Sequence, residues 1–176
     1  MSNIQVYSTP DEVATAAAEA FVVITRVAVA QRGICHLTLS GGSTPQAMHQ
    51  LLVTEPFKSK VPWERLVIFW GDERCVPPDD DESNYKMTDL ALLSHIDIPA
   101  SNIHRVLGED PPTNEALRYA KVIEENVSSA NVFPQFDWIF LGMGDDGHTA
   151  SLFPGASNLK EMEKIIPNGT IGTNTL

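Results

Sequence analysis

The sequence predicts an α/β fold built on a mostly parallel β-sheet. Short apolar segments typical of strands alternate along the chain with longer segments of helical periodicity. Residues 66–70 are apolar at every position, which is the pattern of a parallel strand covered on both faces. Because strands separated by helices are joined by right-handed crossovers, consecutive strands are expected to run parallel.

The first helix is predicted to begin at residue 10, because Thr9 and Glu12 form a capping box with a proline between them at the first helical position. Gly33 is a residue type that ends helices. The apolar residues of this helix recur at helical spacing: Val13, Ala16, Ala17, Ala20, Ile24 and Val27. A strand over residues 34–39 and a helix over residues 45–52 are predicted to follow.

The rest of the chain alternates in the same way. The predicted elements are a strand over 66–70, a helix over 83–93, a strand over 103–107, a helix from 113 to about 128, and a strand over 136–141. Thr113 can cap the fourth helix, and Glu115 supports its first turn. Residues 159–166 fit either a helix or a strand, and residues 167–176 are expected to form an irregular tail.

The composition limits the classes of function. The 176 residues carry 12 Lys+Arg against 23 Asp+Glu, a formal net charge of −11, and their length suits a single domain over residues 1–176. The negative charge argues against binding to nucleic acid or to an anionic membrane, because phosphate groups attract basic surfaces. An anionic ligand would therefore need a local source of positive charge.

The chain shows no pattern that predicts export or a membrane span. No basic segment followed by an apolar one opens it, so no signal peptide is expected. The apolar run over residues 14–30 is interrupted by Glu19, Thr25 and Arg26, which favours a core helix. Two cysteines are too few for a disulfide framework. We expect reduced thiols in a cytoplasmic protein.

Four loops directly follow predicted strands: residues 40–44, 71–78, 107–112 and 142–148. In an open parallel sheet such loops gather at the carboxyl edge, where ligands bind. Three of them are rich in glycine or charge. We call them the glycine loop (40–44), the acidic loop (71–78) and the histidine loop (142–148).

The glycine loop has the composition of an anion-binding turn. Gly41 and Gly42 let backbone N–H groups approach an anion closely, and the N-terminus of the following helix adds partial positive charge. Ser43 and Thr44 can cap that helix or donate hydroxyl hydrogen bonds to phosphate oxygens. The loop is neither a Walker loop nor a dinucleotide-binding fingerprint. A plain tight turn with a good cap is the alternative.

The acidic loop carries one arginine in acidic surroundings. Between residues 72 and 82, Arg74 is the single base among six acidic residues. Asp72 or Glu73 can hold this arginine just past the buried strand and direct it at a phosphate. A solvated surface ion pair is the alternative. We expect the neighbouring Cys75 to be structural, because no histidine near it in sequence can activate the thiol.

The histidine loop places three glycines, two carboxylates and a histidine within seven residues. Asp146, two residues before His148, can orient the imidazole ring and stabilise its protonated form, an arrangement that suits a general base. One alternative is a surface histidine that caps the next helix. Another is a metal site that includes Asp145, although no second histidine or cysteine has ligand spacing.

Three stretches carry a resemblance to a known family: LSGGSTP (39–45), WGDERCVPPDDDESNY (70–85) and FDWIFLGMGDDGHTASLFPG (136–155). In this order and spacing they resemble the 6-phosphogluconolactonase family, and together with the helical opening over 11–29 the resemblance covers nearly the whole chain. It implies a three-layer α/β sandwich with a Rossmann-like sheet, a fold shared with glucosamine-6-phosphate isomerases. It further implies a cytosolic hydrolase of 6-phospho-D-glucono-1,5-lactone in the oxidative pentose phosphate pathway, with no metal and no cofactor.

The resemblance also implies roles for individual residues. His148 would deprotonate the attacking water, Asp146 would position His148, and Arg74 would face the phosphate in the glycine loop. The predicted substrate-binding residues are Gly41, Gly42, Ser43, Thr44, Asp72, Arg74 and Gly144. The expected partner is a small phosphorylated sugar lactone, with no nucleic acid and no membrane.

Two alternative functions remain. Related isomerases and deaminases carry an acidic base in an Asp-Glu-Tyr-like stretch and a glutamate shortly after the histidine. Here the first stretch reads Asp72-Glu73-Arg74 and residues 149–154 contain no glutamate, which weighs against amino-sugar chemistry. The other alternative is a phosphosugar-binding module, or an inactive truncated form, without turnover.

The end of the chain departs from the family pattern. Family members continue beyond the segment like residues 161–166 with further strands, a basic residue at the phosphate site and a closing helix. The polar tail over 167–176 lacks core periodicity. We therefore hypothesise a C-terminally truncated form, whose sheet has an exposed edge and apolar surface that favour poor stability or association.

Overall fold

A computed structural model describes residues 4–129 and 133–165 of the chain. Within these residues helices and strands alternate, joined in places by short 3-10 turns. In chain order they are α1 (Pro10–Arg32), β1 (Cys35–Leu39), α2 (Ser43–Leu52), β2 (Leu66–Trp70), α3 (Asn84–Ala91), β3 (Ile103–His104), α4 (Pro112–Asn126) and β4 (Trp138–Ile139).

The four strands form one parallel sheet in the order β3-β2-β1-β4. The chain advances from β1 through β2 to β3 and then returns to place β4 on the free side of β1. Because parallel crossovers are right-handed, this reversal puts α2 and α3 on one face of the sheet and α4 on the other. The predicted three-layer α/β fold is confirmed, and its topological switch point lies between β1 and β4.

The predicted capping of α1 is confirmed. The Thr9 hydroxyl oxygen accepts a hydrogen bond from the Glu12 N–H (3.2 Å), while the Glu12 carboxylate accepts one from the Ser8 N–H (2.8 Å). Gly33 ends the helix with a φ of 77°, in the left-handed region that favours glycine. Local hydrogen bonding therefore defines both ends of this helix.

The fully buried residues of α1 differ by about one position from the apolar residues that recur at helical spacing in the sequence. Residues such as Val13 and Val27 are exposed. The buried residues are instead Ala14, Ala18, Phe21, Val22, Thr25 and Ala28. Most of this helix is apolar, so periodicity alone does not select a face. The face is selected by packing against α2 and β1.

By length and composition alone, α1 is long and apolar enough to cross a membrane, despite the polar interruptions noted in the sequence. One third (33%) of its most apolar window is buried in the fold. Long core helices and signal sequences meet the same criterion.

The starts of the later helices differ from prediction. Helix α2 begins at Ser43 instead of residue 45, after Gly42 and without a side-chain cap. Helix α4 begins at Pro112, so Thr113 lies inside the first turn and does not cap it. Helix α3 has Ser83 as its cap, whose hydroxyl oxygen accepts a hydrogen bond from the Lys86 N–H (3.1 Å). Residue types that favour helix caps therefore predicted the first residue of each of these helices only to within one or two positions.

The strands β3 and β4 are shorter than predicted, with two paired residues each, and within the described residues they lie at the two ends of the sheet. Ile139 of β4 and Leu141 after it are 49% and 60% exposed, so apolar side chains lie on the surface at this end of the described sheet. Beyond β4 the chain forms a 3-10 turn over Ser157–Lys160. The tail predicted over 167–176 lies outside the described residues.

Two anchors hold β4 and α4 to the central strands. The Asp137 carboxylate accepts a hydrogen bond from the His36 N–H of β1 (2.8 Å) and pairs with Arg32 at the end of α1. The Tyr119 hydroxyl of α4 accepts a hydrogen bond from the Trp70 N–H (2.8 Å) at the end of β2. Both anchors lie close to the strands whose following loops carry the candidate site.

One polar side chain of α2, the imidazole of His49, is buried. His49 has no solvent exposure, and neither ring nitrogen has a hydrogen-bond partner among the described residues. Burial lowers the pKa of His49 from 6.5 to about 4, because a charged imidazolium would lose its hydration. Between these pH values the unfolded chain binds a proton that the folded chain does not.

We therefore expect the free energy of unfolding to fall as the pH falls from 7 to 5, with His49 contributing about 2 kcal/mol of that loss. His49→Leu should remove this contribution. Urea denaturation at the two pH values measures it, with His95→Leu at an exposed histidine as the matched control. An unchanged pH dependence in His49→Leu would show that His49 does not titrate in this way.

Candidate active site

The glycine, acidic and histidine loops begin at the same edge of the sheet. Leu39 of β1 pairs with Trp70 of β2, and Thr38 pairs with Ile139 of β4, so the three strands end at one level. Their loops surround a cleft of about 210 Å³, which we call the binding cleft. It is lined by Ser40, Gly41, Gly42, Asp72, Arg74, Asn84, Gly142, Met143, Gly144, His148 and Ala150.

Most of the predicted site residues meet at this cleft. Those that line it are Gly41, Gly42, Asp72, Arg74, Gly144 and His148. Ser43 and Thr44 are exposed in the first turn of α2 and do not line it, while Asp146 contacts His148 from outside the cleft. The loop over 107–112 does not line it either. That loop supports the acidic loop, because a Cβ on Gly108 would overlap the Arg74 carbonyl oxygen.

The glycine loop brings backbone to the cleft wall. Gly42 has a φ of 108°, which L side chains rarely adopt, and it directly precedes α2. Gly41 lies so close to Asn84 that a Cβ would overlap the Asn84 side-chain amide. The first N–H groups of α2 have no acceptor within the helix, so the start of α2, directly after the cleft residue Gly42, carries free donors and partial positive charge.

The acidic loop holds Arg74 differently from the prediction. The Arg74 guanidinium forms no ion pair with any described residue, whereas the Glu73 carboxylate accepts a hydrogen bond from the Arg74 backbone N–H (2.7 Å). Among the described residues neither Asp72 nor Glu73 lies within ion-pair distance of the guanidinium, although the Arg74 charge acts on Asp72 and Glu73 holds the Arg74 backbone. Burial raises the pKa of Asp72, although the charges of Arg74 and His148 act in the opposite direction.

Asn84 is a cleft residue that the sequence reasoning missed. Its side-chain amide donates a hydrogen bond to the Asp72 carbonyl oxygen (3.1 Å), and its oxygen faces Gly41. Asn84 is the first residue of α3, directly after the Ser83 cap. Ser83 could have indicated this position in the sequence, because it marks a helix start just after the acidic loop, and polar groups at a helix start can face such a loop.

The histidine loop forms a compact turn around His148. Its Nδ1 lies 2.5 Å from an Asp146 carboxylate oxygen, which also accepts a hydrogen bond from the His148 backbone N–H (3.1 Å). The ring stacks on Phe153 with 4.5 Å between ring centres. These hydrogen bonds, that of the ring first, lower the pKa of Asp146. An ionised Asp146 accepts the Nδ1–H of the ring, and in the neutral tautomer with this hydrogen bond Nε2 is the nitrogen without a proton.

Two other features were considered in the sequence, a metal site in the histidine loop and an activated thiol at Cys75. Within residues 4–129 and 133–165, no group of three His, Cys, Asp or Glu side chains is arranged to hold a metal ion. Burial, followed by the charge of Glu73, raises the pKa of the Cys75 thiol. An activated cysteine has a lowered pKa, so the structural interpretation of Cys75 is favoured.

Comparison with known proteins identifies the family. The sequence profile described as glucosamine-6-phosphate isomerases/6-phosphogluconolactonase matches residues 8–170. The chain belongs to this family. It is 48% identical over 126 residues to the 6-phosphogluconolactonase of Haemophilus influenzae, an alignment that covers 72% of this chain and 53% of that protein. It is 40% identical over 164 residues to the enzyme of the same name from Nostoc, covering 91% and 67%.

The fold of a solved family member agrees with these matches. The 6-phosphogluconolactonase of Trypanosoma brucei is 29% identical, and its superposition covers 97% of this chain and 74% of that one with a TM-score of 0.84. Against the Haemophilus influenzae relative the chain spans only about half the length (53%). The glycine, acidic and histidine loops all lie within the residues that the family profile matches.

The close packing of Gly144 against His148 gives a test of this geometry. In Gly144→Ala the new Cβ would overlap the imidazole ring, so we expect His148 to be displaced. Gly142→Ala is the matched control, because a Cβ there meets no other atom within 4 Å. Imidazole ¹H–¹³C NMR spectra should show shifted His148 signals in Gly144→Ala only. Equal spectra for the two variants would contradict the described turn.

Proposed function

We propose that this chain hydrolyses 6-phospho-D-glucono-1,5-lactone to 6-phosphogluconate, a reaction of the oxidative pentose phosphate pathway. The observation that carries the proposal is the binding cleft itself. Its lining combines the glycine loop and Arg74, which suit an anion, with His148, whose ring Asp146 holds from outside the cavity. The relatives named 6-phosphogluconolactonase support the same substrate.

The phosphate group would bind at the end of the cleft formed by the glycine loop. Backbone N–H groups at the start of α2 donate to phosphate oxygens without any side chain. Arg74 adds a guanidinium whose charge is not neutralised by an ion pair within the described residues. A planar guanidinium matches two phosphate oxygens at once. This local positive charge answers the requirement set by a net charge of −11.

The ester chemistry would take place at His148. Its Nε2 accepts a proton from water, whose oxygen then attacks the lactone carbonyl carbon. Asp146 stabilises the imidazolium that forms, because its carboxylate accepts the Nδ1–H. The tetrahedral oxyanion collapses, the ring C–O bond breaks, and His148 returns the proton to the departing ring oxygen. The carboxylic acid product then releases one proton to solvent.

Catalysis by His148 can be tested directly. We expect His148→Ala to lower kcat for lactone hydrolysis by about 10²- to 10⁴-fold, because the general base is lost. Asp146→Asn should give an intermediate loss, since an amide cannot stabilise the imidazolium as a carboxylate does. The measurement is acid release from 6-phosphogluconolactone, corrected for spontaneous hydrolysis.

Asp145→Asn is the matched control for these variants. Asp145 is the neighbouring exposed carboxylate, and the ring of His148 is hydrogen-bonded to Asp146 instead. We expect Asp145→Asn to retain the wild-type rate. Lactone binding by the wild type without acid release would replace the hydrolase with a phosphosugar-binding module, and equal rates for wild type and His148→Ala would remove His148 as the base.

The assignment of Arg74 to the phosphate predicts a change in substrate discrimination. Wild type should prefer 6-phosphogluconolactone over gluconolactone, which lacks the phosphate. Arg74→Gln should raise KM for the phosphorylated substrate about tenfold or more, because a charge-assisted hydrogen bond is lost, and should leave gluconolactone hydrolysis unchanged. Steady-state kinetics on both lactones measure this. An equal loss on both would mean that Arg74 acts elsewhere in the reaction.

A further inference from the structure

Glu73 is a buried carboxylate beside the binding cleft, and each of its two oxygens accepts two hydrogen bonds. It is only 2% exposed. One carboxylate oxygen accepts hydrogen bonds from the backbone N–H groups of Arg74 and Asn84, both at 2.7 Å. The other accepts from the Tyr85 N–H (2.8 Å) and from the Ser83 hydroxyl (3.2 Å). Four donors therefore compensate for the lost hydration of this carboxylate.

All four donors are electrically neutral groups. Three of them belong to the cap and the first turn of α3, where the helix dipole favours a negative charge. Glu73 forms no ion pair within 4.0 Å with any described cation, the guanidinium of the adjacent Arg74 included. The burial of this charge is therefore compensated without the side chain of Arg74.

The same four hydrogen bonds connect separate walls of the cleft. A single carboxylate oxygen holds the backbone of Arg74 and the backbone of Asn84 at a fixed distance. Asn84 in turn donates to the Asp72 carbonyl oxygen and packs against Gly41. Displacement of Glu73 would therefore move the acidic loop, α3 and the glycine loop relative to one another.

We propose that Glu73 is a positioning residue of the binding cleft, which sets Arg74 and Asn84 against the glycine loop and leaves the charge of Arg74 free for the phosphate of a ligand. This inference rests on the proposed function for the identity of that phosphate. Glu73 does not line the cleft, so it acts through Arg74 and Asn84. The histidine loop makes no hydrogen bond to Glu73 among the described residues.

The proposal predicts a specific kinetic change. In Glu73→Gln one acceptor oxygen becomes an amide group that opposes an N–H donor, so Arg74 and Asn84 should shift. We expect KM for 6-phosphogluconolactone to rise about tenfold or more, with kcat within about threefold of wild type, because ground-state phosphate binding is lost and His148 is untouched. Glu73→Asp keeps the charge on a shorter side chain and should restore part of the affinity.

Glu115→Gln is the matched control for a merely structural role. Glu115 is a carboxylate of equal burial, 1% exposed, which accepts a hydrogen bond from the Leu107 N–H (2.8 Å) and pairs with Arg118. It does not line the binding cleft. We expect Glu115→Gln to lower stability while KM stays at the wild-type value. Stability of every variant is measured by urea denaturation.

A binding measurement separates this proposal from the proposed function. Inorganic phosphate is titrated into ¹⁵N-labelled wild type, Glu73→Gln and Glu73→Asp, with the Arg74 amide signal as the reporter. Weaker phosphate binding in Glu73→Gln, partly restored in Glu73→Asp, supports the positioning role even if the wild type does not hydrolyse the lactone. Equal phosphate affinity in wild type and Glu73→Gln, or a lowered kcat at constant KM, would overturn it.

Discussion

The parallel pairing of β1 with a neighbour on each side is the constraint on which the candidate site depends. Because β2 and β4 both run parallel to β1 and end level with it, their following loops start from one edge. The chain direction across the sheet reverses between β1 and β4, so the crossovers lie on opposite faces and leave a crevice at that edge. If β4 were displaced from β1, the histidine loop would move away from the glycine loop even though the sequence of each loop stayed the same.

The excess of acidic residues imposes a second constraint, which the arrangement of individual carboxylates around the cleft satisfies. A chain with a net charge of −11 must keep its nearby carboxylates from neutralising the cation of an anion site. The Glu73 carboxylate accepts hydrogen bonds from the start of α3, and the Asp146 carboxylate is hydrogen-bonded to His148. Arg74 and the start of α2 remain available to an anion. Placement of individual charges therefore matters more here than their sum.

Much of the fold was predictable because its signals are local. The apolar run of β2 and the Thr9 cap of α1 involve residues a few positions apart, and both agree with the structure. The buried face of α1 was not predictable, because Val13 and Ala14 are both apolar and only the packing of the helix in the fold distinguishes them. The lengths of β3 and β4 depend on which residues pair with β2 and β1, and no local pattern records that pairing.

For the candidate site, the sequence by itself predicted three loops that line the binding cleft and placed Asp146 two residues before His148, within reach of its ring. Such pairs form because the chain geometry over a few residues leaves few alternatives. The tertiary structure alone decided that Asn84 lines the cleft, that Ser43 and Thr44 do not, and that Glu73 holds backbone instead of a guanidinium. These contacts join distant or differently oriented groups, whose meeting depends on strand order and packing.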